Sequence, residues 1–274
     1  MIQHIALLTD FGTADTYVAE MKGAIWSIAP DVDIVDVTHA IPPRDVIAGA
    51  LALARVVPVF PEGTIFLAVV DPGVGTGRRA VIVRTPKSFL VGPDNGLLTL
   101  AARREGTAET VEIANAALMR PVVSRTFHGR DVFAPAAAHL TREVPLSEFG
   151  PPAGDLVGLD LPEPIVEGDR LVGAILTVDG FGNAITNIDE GLLAAFAGQL
   201  AVVVECGNAN APLIGTYGDA KPGKTVALVG SGGTLEIAVV GGSAARAHGL
   251  TRGDRVTVTH DSRVRGPVPR PSEA

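Results

Sequence analysis

The 274-residue chain has a single cysteine, which excludes an internal disulfide and any zinc cluster built on paired cysteines. That residue, Cys206, closes the run Val202-Val-Val-Glu-Cys206, and so apolar a setting predicts a buried thiol. Aromatic residues are also scarce, 4% of the chain against 47% hydrophobic overall, so the core must be mostly Val, Leu, Ile and Ala. An aromatic ring outside that core therefore stands out. Positive charge is in deficit, with 22 Lys and Arg against 30 Asp and Glu, and the formal charge of −8 argues against nucleic-acid binding through a broad basic face. No run of ~18 apolar residues offers a membrane span, and Met1-Ile-Gln-His has no basic region ahead of its apolar stretch. A cytoplasmic protein without a membrane or nucleic-acid partner is expected.

The feature that organises the chain is Ile65-Phe-Leu-Ala-Val-Val-Asp71-Pro-Gly-Val-Gly-Thr-Gly-Arg78-Arg79. Ile65 to Val70 is apolar without alternation, which predicts a central strand of a parallel sheet with both faces covered. Ligands of open α/β sheets bind beyond the carboxyl ends of the strands, where Asp71 stands. Pro72 biases Asp71 towards an extended backbone, and the three glycines after it allow a close approach. The plainer reading is a solvated loop with a surface Asp–Arg pair.

Around this strand a β-α-β-α rhythm is legible. Strands are expected at His4 to Thr9, Asp33 to Thr38, Ala80 to Thr85, Phe89 to Val91 and Thr110 to Ile113. Helices are expected at Asp15 to Ala29, capped by Asp15, and at Asp45 to Val57, Leu97 to Arg104 and Val132 to Leu140. The prediction is an α/β domain over 1–150, a mostly parallel sheet flanked by helices. A Pro- and Gly-rich linker over 151–168 comes next. The β-rich runs Leu171 to Asp179, Ala184 to Ile188, Gln199 to Glu205, Pro212 to Tyr217, Thr225 to Val229, Leu235 to Val240 and Arg255 to Thr259 then predict a small antiparallel β-barrel over 169–262 with no long helix. Residues 263–274 read as a loose tail.

Several strand ends of the first domain carry polar groups: Asp10, His39, Asp71 and the pair Asp94/Asn95, with His128 opening a later helix. A metal-dependent hydrolase could use Asp10, His39, Asp71 and His128 as ligands, although no His-x-x-x-His spacing is present. Asp15, His39 and Asp94 read as structural caps or ties. Gly73-Val-Gly75-Thr-Gly77 starts like a dinucleotide fingerprint, but Arg78 to Thr85 reads as a strand and not as the helix that would hold a pyrophosphate. Asp179-Gly-Phe181-Gly-Asn183 has the composition of a hairpin loop, except that a turn does not need a phenyl ring. A purine does, as a stacking face beside an amide.

Seven motifs together resemble the S-adenosyl-L-methionine (SAM) hydrolases, also called SAM hydroxide adenosyltransferases, over about residues 3 to 260. They are Leu8-Thr9-Asp10-Phe11-Gly12, Thr38-His39-x-Ile41-Pro42-Pro43, Val70-Asp71-Pro-Gly-Val-Gly-Thr76 with Arg78 just beyond it, Gly92-Pro93-Asp94-Asn95-Gly96, Phe127-His128-Gly129-Arg130-Asp131, Asp179-Gly-Phe181-Gly-Asn183 and Ser231-x-Gly-x-Leu235-Glu236-Ile-Ala238. The resemblance implies hydrolysis of SAM to adenosine and L-methionine, with no cofactor and no metal, by a homotrimer whose sites lie between the N-terminal domain of one subunit and the C-terminal domain of the next. It implies a catalytic set of Asp71, Arg78 and His128 and ribose binding by Asp10. It further implies methionine contacts from Asp179 and Ser231, and an adenine pocket from Phe181, Asn183, Tyr217 and the backbone near Val239, with Glu236 close by. The halogenating relatives carry tyrosine at the position of Asp71, and no room exists between Val83 and Leu97 for the extra loop of the fluorinase. Two other readings remain open, the metal-dependent hydrolase and a non-catalytic SAM or adenosine sensor.

Overall fold

The computed structural model describes residues 4–261, so the tail 263–274 lies outside the described residues. The chain divides into two compact units, with the break between Leu159 and Asp160. The first unit holds one sheet of β1 (His4–Thr9), β2 (Asp33–Thr38), β3 (Ile65–Val69), β4 (Ala80–Arg84), β5 (Phe89–Pro93) and β6 (Glu109–Glu112), in the order β2-β1-β3-β5-β4-β6. The pairs β2-β1, β1-β3 and β3-β5 are parallel, whereas β4 runs against both of its neighbours. Its helices are α1 (Tyr17–Trp26), α2 (Val46–Val56), α3 (Thr99–Glu105) and α4 (Ala134–Thr141), the last entered through a π-helical turn, Gly129–Phe133.

The unbroken apolar run of β3 is explained by the two cores it serves. Ile65, Leu67 and Val69 pack with Met21, Ile25, Phe133 and Ala137 on one face, while Phe66, Ala68 and Val70 pack with Leu53, Leu97 and Ala101 on the other. Each such large side chain, fully buried, contributes roughly 1.5–3 kcal/mol. Asp45 caps α2 by accepting the Ala48 N–H (3.0 Å). The expected Asp15 cap is not formed. Thr16 occupies the cap position of α1, and its hydroxyl donates to Glu20 (2.8 Å) instead of to the helix end. The helix also stops at Trp26, because the N–H groups of Ile28 and Ala29 both turn back to the Ile25 carbonyl ahead of Pro30.

Part of the Pro- and Gly-rich stretch is firmly held. Arg79 donates to the carbonyls of Ala153 and Asp155, the Val157 N–H donates to Asp94 (2.8 Å), and Thr99 donates to the Val157 carbonyl (2.7 Å). Asp94 and Arg79 are themselves ion-paired, which gives Asp94 a structural occupation.

The second unit is antiparallel. Its strands are β7 (Ile165–Glu167), β8 (Arg170–Val178), β9 (Ala184–Asp189), β10 (Val202–Cys206), β11 (Ala209–Pro212), β12 (Thr225–Val229), β13 (Thr234–Val239) and β14 (Arg255–His260). The path runs β11-β10-β14-β8-β9-β13-β12, with β7 added beside β8. The end strands approach each other where the Ile214 N–H donates to the Ala227 carbonyl (2.9 Å), so the sheet is a nearly closed barrel. Two details depart from expectation. The strand expected at Pro212 to Tyr217 is β11, lying earlier at Ala209–Pro212, and Tyr217 opens a 3-10 turn. An eight-residue helix, α5 (Glu190–Ala197), is present where none was expected; Asp189 caps it through Leu192 N–H (2.8 Å) and Gly198, at φ +58°, ends it. A short α6 (Ala244–His248) precedes β14. Cys206 lies in the barrel core, where burial pushes its thiol pKa up to about 11.

Candidate active site

In the first unit the chain passes from β1 to β2 on one side and then to β3 on the other, so β1 and β3 flank the point where the winding reverses. That is where an open α/β sheet parts to form a crevice at its carboxyl edge. Asp10 follows β1 and Asp71 follows β3. Asp10 is held by the Arg44 N–H (2.7 Å), which an unusual positive φ of 65° at Arg44 directs back to it.

Asp71 is matched by a cation from its own loop. Residues 72–77 fold tightly, with the Thr76 hydroxyl donating to the Gly73 carbonyl (2.7 Å), and they return Arg78 to the carboxylate. Gly75 is required there, since its φ is +77° and a Cβ would lie 2.5 Å from the Arg125 carbonyl oxygen. Arg78 Nε donates to both oxygens of Asp71 at 3.0 Å, and Nη2 makes a further short contact with Oδ2. The same Nη2 lies 3.0 Å from Nδ1 of His128. Arg78 also stacks over the Phe133 ring, 5.0 Å from its centre. Both members of the ion pair are nearly buried, their side chains 10% (Arg78) and 5% (Asp71) exposed. Burial first, and the adjacent Arg78 cation second, hold the His128 pKa below its ordinary value.

His128 stands at the entrance to the π-helical turn, a form that recurs at functional sites. The loop leading to it is anchored by Asp131, fully buried, which accepts the Ser124 N–H (2.8 Å) and pairs with Arg130. Arg130 in turn reaches Glu20 of α1 (2.8 Å). Asp10, Asp71 and His128 line one cavity of about 550 Å³, whose apolar wall is formed by Phe11, Tyr17 and Phe127. Those three rings pack edge-on or tilted, their centres 5.1–5.9 Å apart.

The four candidate metal ligands do not form one coordinating set: Asp10, Asp71 and His128 share the cavity, but His39 is not part of its lining. His39 is buried between Thr9 (Nδ1 to Oγ1, 2.8 Å) and Asp36 (Nε2 to Oδ1, 3.1 Å), where it ties β1 to β2. Among the described residues no group of three or more His, Cys, Asp or Glu is placed to hold one ion.

In the second unit a separate polar cluster forms at one end of the barrel. Asp179 closes the β8-β9 turn: Oδ1 accepts the N–H groups of Phe181 (2.9 Å) and Asn183 (2.8 Å), and Oδ2 accepts from Asn183 Nδ2 (3.1 Å). Asn183 Nδ2 also donates to the Tyr217 hydroxyl (3.2 Å), which donates in a short bond to Glu236. Burial first and the Glu236 carboxylate second raise the Tyr217 pKa. Asn183 and Glu236 are buried, whereas the Phe181 ring is 82% exposed. Gly230 leaves the space that Glu236 fills, since a Cβ there would lie 2.1 Å from Glu236 Oε2. Ser231 is exposed on the turn between β12 and β13, and Val239 ends β13.

The family model for the SAM hydroxide adenosyltransferase N-terminal domain matches residues 5–150, and that for the C-terminal domain matches residues 173–257. The chain belongs to the SAM hydroxide adenosyltransferase family. Among its relatives is the (R)-S-adenosyl-L-methionine hydrolase of Salinispora tropica, 43% identical over 258 residues, covering 93% of this chain and 97% of that one. The fluorinase of Actinoplanes sp. is more distant, 33% identical over 288 residues and covering 93% and 97%. The crystal structure of an uncharacterised conserved protein from Thermotoga maritima superposes with a TM-score of 0.88 at 37% identity, covering 93% of this chain and all of that one.

As a member of this family the chain presents its expected site residues as two clusters, Asp10, Asp71, Arg78 and His128 in the first unit and Asp179, Asn183, Tyr217 and Glu236 in the second. Sequence reasoning assigned no part to Tyr17, Glu20 or Arg130, although all three line the cavity. The three-residue spacing of Tyr17 and Glu20 puts them on one face of α1, a signal that was available. A misleading signal exists as well: Gly218-Asp-Ala-Lys-Pro-Gly-Lys224-Thr225 has the spacing of a phosphate-binding loop. It runs from a 3-10 turn into β12, with no helix at its end to receive a phosphate.

Proposed function

We propose that this protein is a cytoplasmic enzyme that hydrolyses S-adenosyl-L-methionine to adenosine and L-methionine. Family membership and the named hydrolase relatives support the activity. The observation that carries the mechanism is the continuous contact from Asp71 through Arg78 to His128 at the wall of one cavity. The sulfonium of the substrate departs as a neutral thioether, so no acid is needed for the leaving group. What the protein must supply is a nucleophile, since water with a pKa of about 15.7 is a weak one.

The geometry divides the labour. Arg78 has only N–H donors, so His128 Nδ1 must accept, and the proton of the neutral ring then resides on Nε2. His128 thus orients the attacking water by donating to it, and cannot take its proton. Asp71 has about four lone-pair positions, of which Arg78 occupies three, and the remaining one accepts the proton as the water attacks ribose C5′. Arg78 stabilises the hydroxide character that develops. Joining an anion-like oxygen to a cation diminishes both charges, which a site with little water favours.

Asp10 holds the ribose hydroxyls, and Phe181, Asn183 and Tyr217 frame the adenine, with backbone near Val239 at its edge. Asp179 and Ser231 stand at the methionine end. The enzyme is a homotrimer in which the first unit of one subunit and the second unit of the next complete each site. Phe181, 82% exposed, supports this, because a ring so placed in a chain poor in aromatics calls for a partner. The test is to incubate the protein with each sulfonium epimer of SAM and to quantify products by chromatography. Adenosine and methionine in equal amounts from one epimer, unaffected by a chelator, are expected. No adenosine above the uncatalysed background from either epimer defeats the proposal.

A further inference from the structure

The second-unit cluster has a polarity that goes beyond simple framing of a base. Both protons of Asn183 Nδ2 are engaged, one by Asp179 Oδ2 (3.1 Å) and one by the Tyr217 hydroxyl (3.2 Å). Each of those acceptors is fixed in turn. Asp179 cannot rotate, because its Oδ1 holds two backbone N–H groups. The Tyr217 hydroxyl cannot turn its proton towards the amide, because it donates that proton to Glu236. Glu236 is only 8% exposed, and its place is shaped by the missing side chain of Gly230. Turning the amide over would set Asn183 Oδ1 against a carboxylate oxygen and a hydroxyl oxygen that already has a better acceptor. Asn183 Oδ1 is therefore held as an acceptor and has no hydrogen-bond partner among the described residues.

We propose that Tyr217 and Glu236 are positioning residues that, with Asp179, lock the Asn183 amide so that the base site takes a 6-aminopurine and rejects a 6-oxopurine. This rests on the reading of the cluster as the purine end of the substrate site. An exocyclic amino group donates to Asn183 Oδ1. A 6-oxo group places oxygen against oxygen and leaves both without a partner. A site built on a polar contact discriminates strongly when that contact is lost, so adenosine is expected to bind about 10- to 100-fold more tightly than inosine. The relay also predicts its own reversal. In Asp179→Asn/Glu236→Gln the new amide at 236 can donate to the Tyr217 oxygen, which frees the hydroxyl proton for Asn183 Oδ1, and the new amide at 179 donates there as well. Asn183 then turns over and presents Nδ2.

The experiment is calorimetric titration of the intact protein with adenosine and with inosine, for wild type, Tyr217→Phe and the double variant, each checked by thermal melting. The ratio of the two affinities is the readout, because a merely structural role would weaken both nucleosides alike. Wild type should favour adenosine by at least about tenfold, Tyr217→Phe should shrink that ratio several-fold, and the double variant should bring it to unity or below. If the double variant does not fold, Tyr217→Phe decides alone, and an unchanged ratio in that folded protein overturns the proposal. Equal wild-type affinities overturn it while leaving SAM hydrolysis intact. A wild type that neither binds adenosine nor hydrolyses SAM overturns the underlying reading and this inference together.

Discussion

Nη2 of Arg78 lies 3.0 Å from Nδ1 of His128, and a guanidinium has only N–H groups to offer. The imidazole must therefore be an acceptor on that side and a donor on the other. Arg78 also binds Asp71 through Nε and Nη2, so a single side chain sets the protonation of one neighbour and the orientation of both.

With Asp71 as the proposed proton acceptor, Asp71→Asn should lower kcat by about 10²- to 10⁴-fold while adenosine affinity changes little. Steady-state product assays and nucleoside titration separate the two effects. Retention of most of the wild-type kcat would assign the base elsewhere.

The pH profile should report His128. Its pKa is depressed by burial and by Arg78, so the neutral donor form persists below the ordinary value near 6.5 and is lost only in more acidic solution. Turnover should thus be flat through neutrality and fall on an acid limb below pH ~6.5, and the limb should be altered in His128→Asn. The same depression makes this group stabilise the fold above the unfolded pKa, with that stabilisation lost as pH falls through the folded one. An acid limb centred above pH ~7 in wild type, traced to His128, contradicts the assignment.

Water, not halide, should be the nucleophile. An anion entering beside Asp71 meets a carboxylate whose partner cation, Arg78, is already engaged, so the site holds no uncompensated positive charge for it, whereas water enters neutral. Reaction in oxygen-18 water should place the label on the 5′-hydroxyl of adenosine, and molar chloride or fluoride should yield no 5′-halo product by mass spectrometry. Efficient formation of 5′-chloro-adenosine by the wild type counts against this role for Asp71.

The proposed sharing of each site between subunits is tested by a complementation experiment. Asp71→Ala and Asn183→Ala proteins should each be inactive, and after subunit exchange the mixture should recover part of the wild-type rate. A monomeric protein with full activity in sedimentation and assay refutes the shared site.

Asp94 and Arg79 should matter for stability and hardly for chemistry. The Asp94 side chain is 2% exposed and holds Arg79 and the Val157 N–H, so Asp94→Ala leaves a cation and a backbone donor without their partner. A loss of about 2–4 kcal/mol in urea unfolding is expected, with kcat in folded protein close to wild type. An unchanged midpoint shows that the pair does not hold residues 153–157.

Much of the first unit was legible because its signals are local. The run Ile65 to Val70 reads as a doubly covered strand from composition alone, and it packs into both cores. The regular β-runs of the second unit are equally visible, since turn residues punctuate them. Helix ends were read less well. Asp15 has the chemistry of a cap, but Thr16 lies at the helix start, and α5 was hidden in a stretch whose eight residues are too few to show a period. Of the site, Asp10, Asp71 and His128 were visible as polar residues where apolar runs end. Glu20 and Arg130 were not, because each looks like ordinary surface charge until α1 and the loop before α4 are brought together.

The sequence by itself determined the fold class, the family and the residue types available for chemistry, because periodicity, turn composition and motif order are properties of neighbours along the chain. Only the tertiary structure decided which groups share a proton. Asp71 and Arg78 share one loop but His128 comes fifty residues after Arg78, and what makes His128 a donor is one 3.0 Å contact with Arg78. Likewise nothing in the order of residues 179, 183, 217 and 236 says which end of the Asn183 amide is engaged by its neighbours. That is settled by Glu236 holding the Tyr217 proton inside the barrel end, where each buried polar group must find a partner.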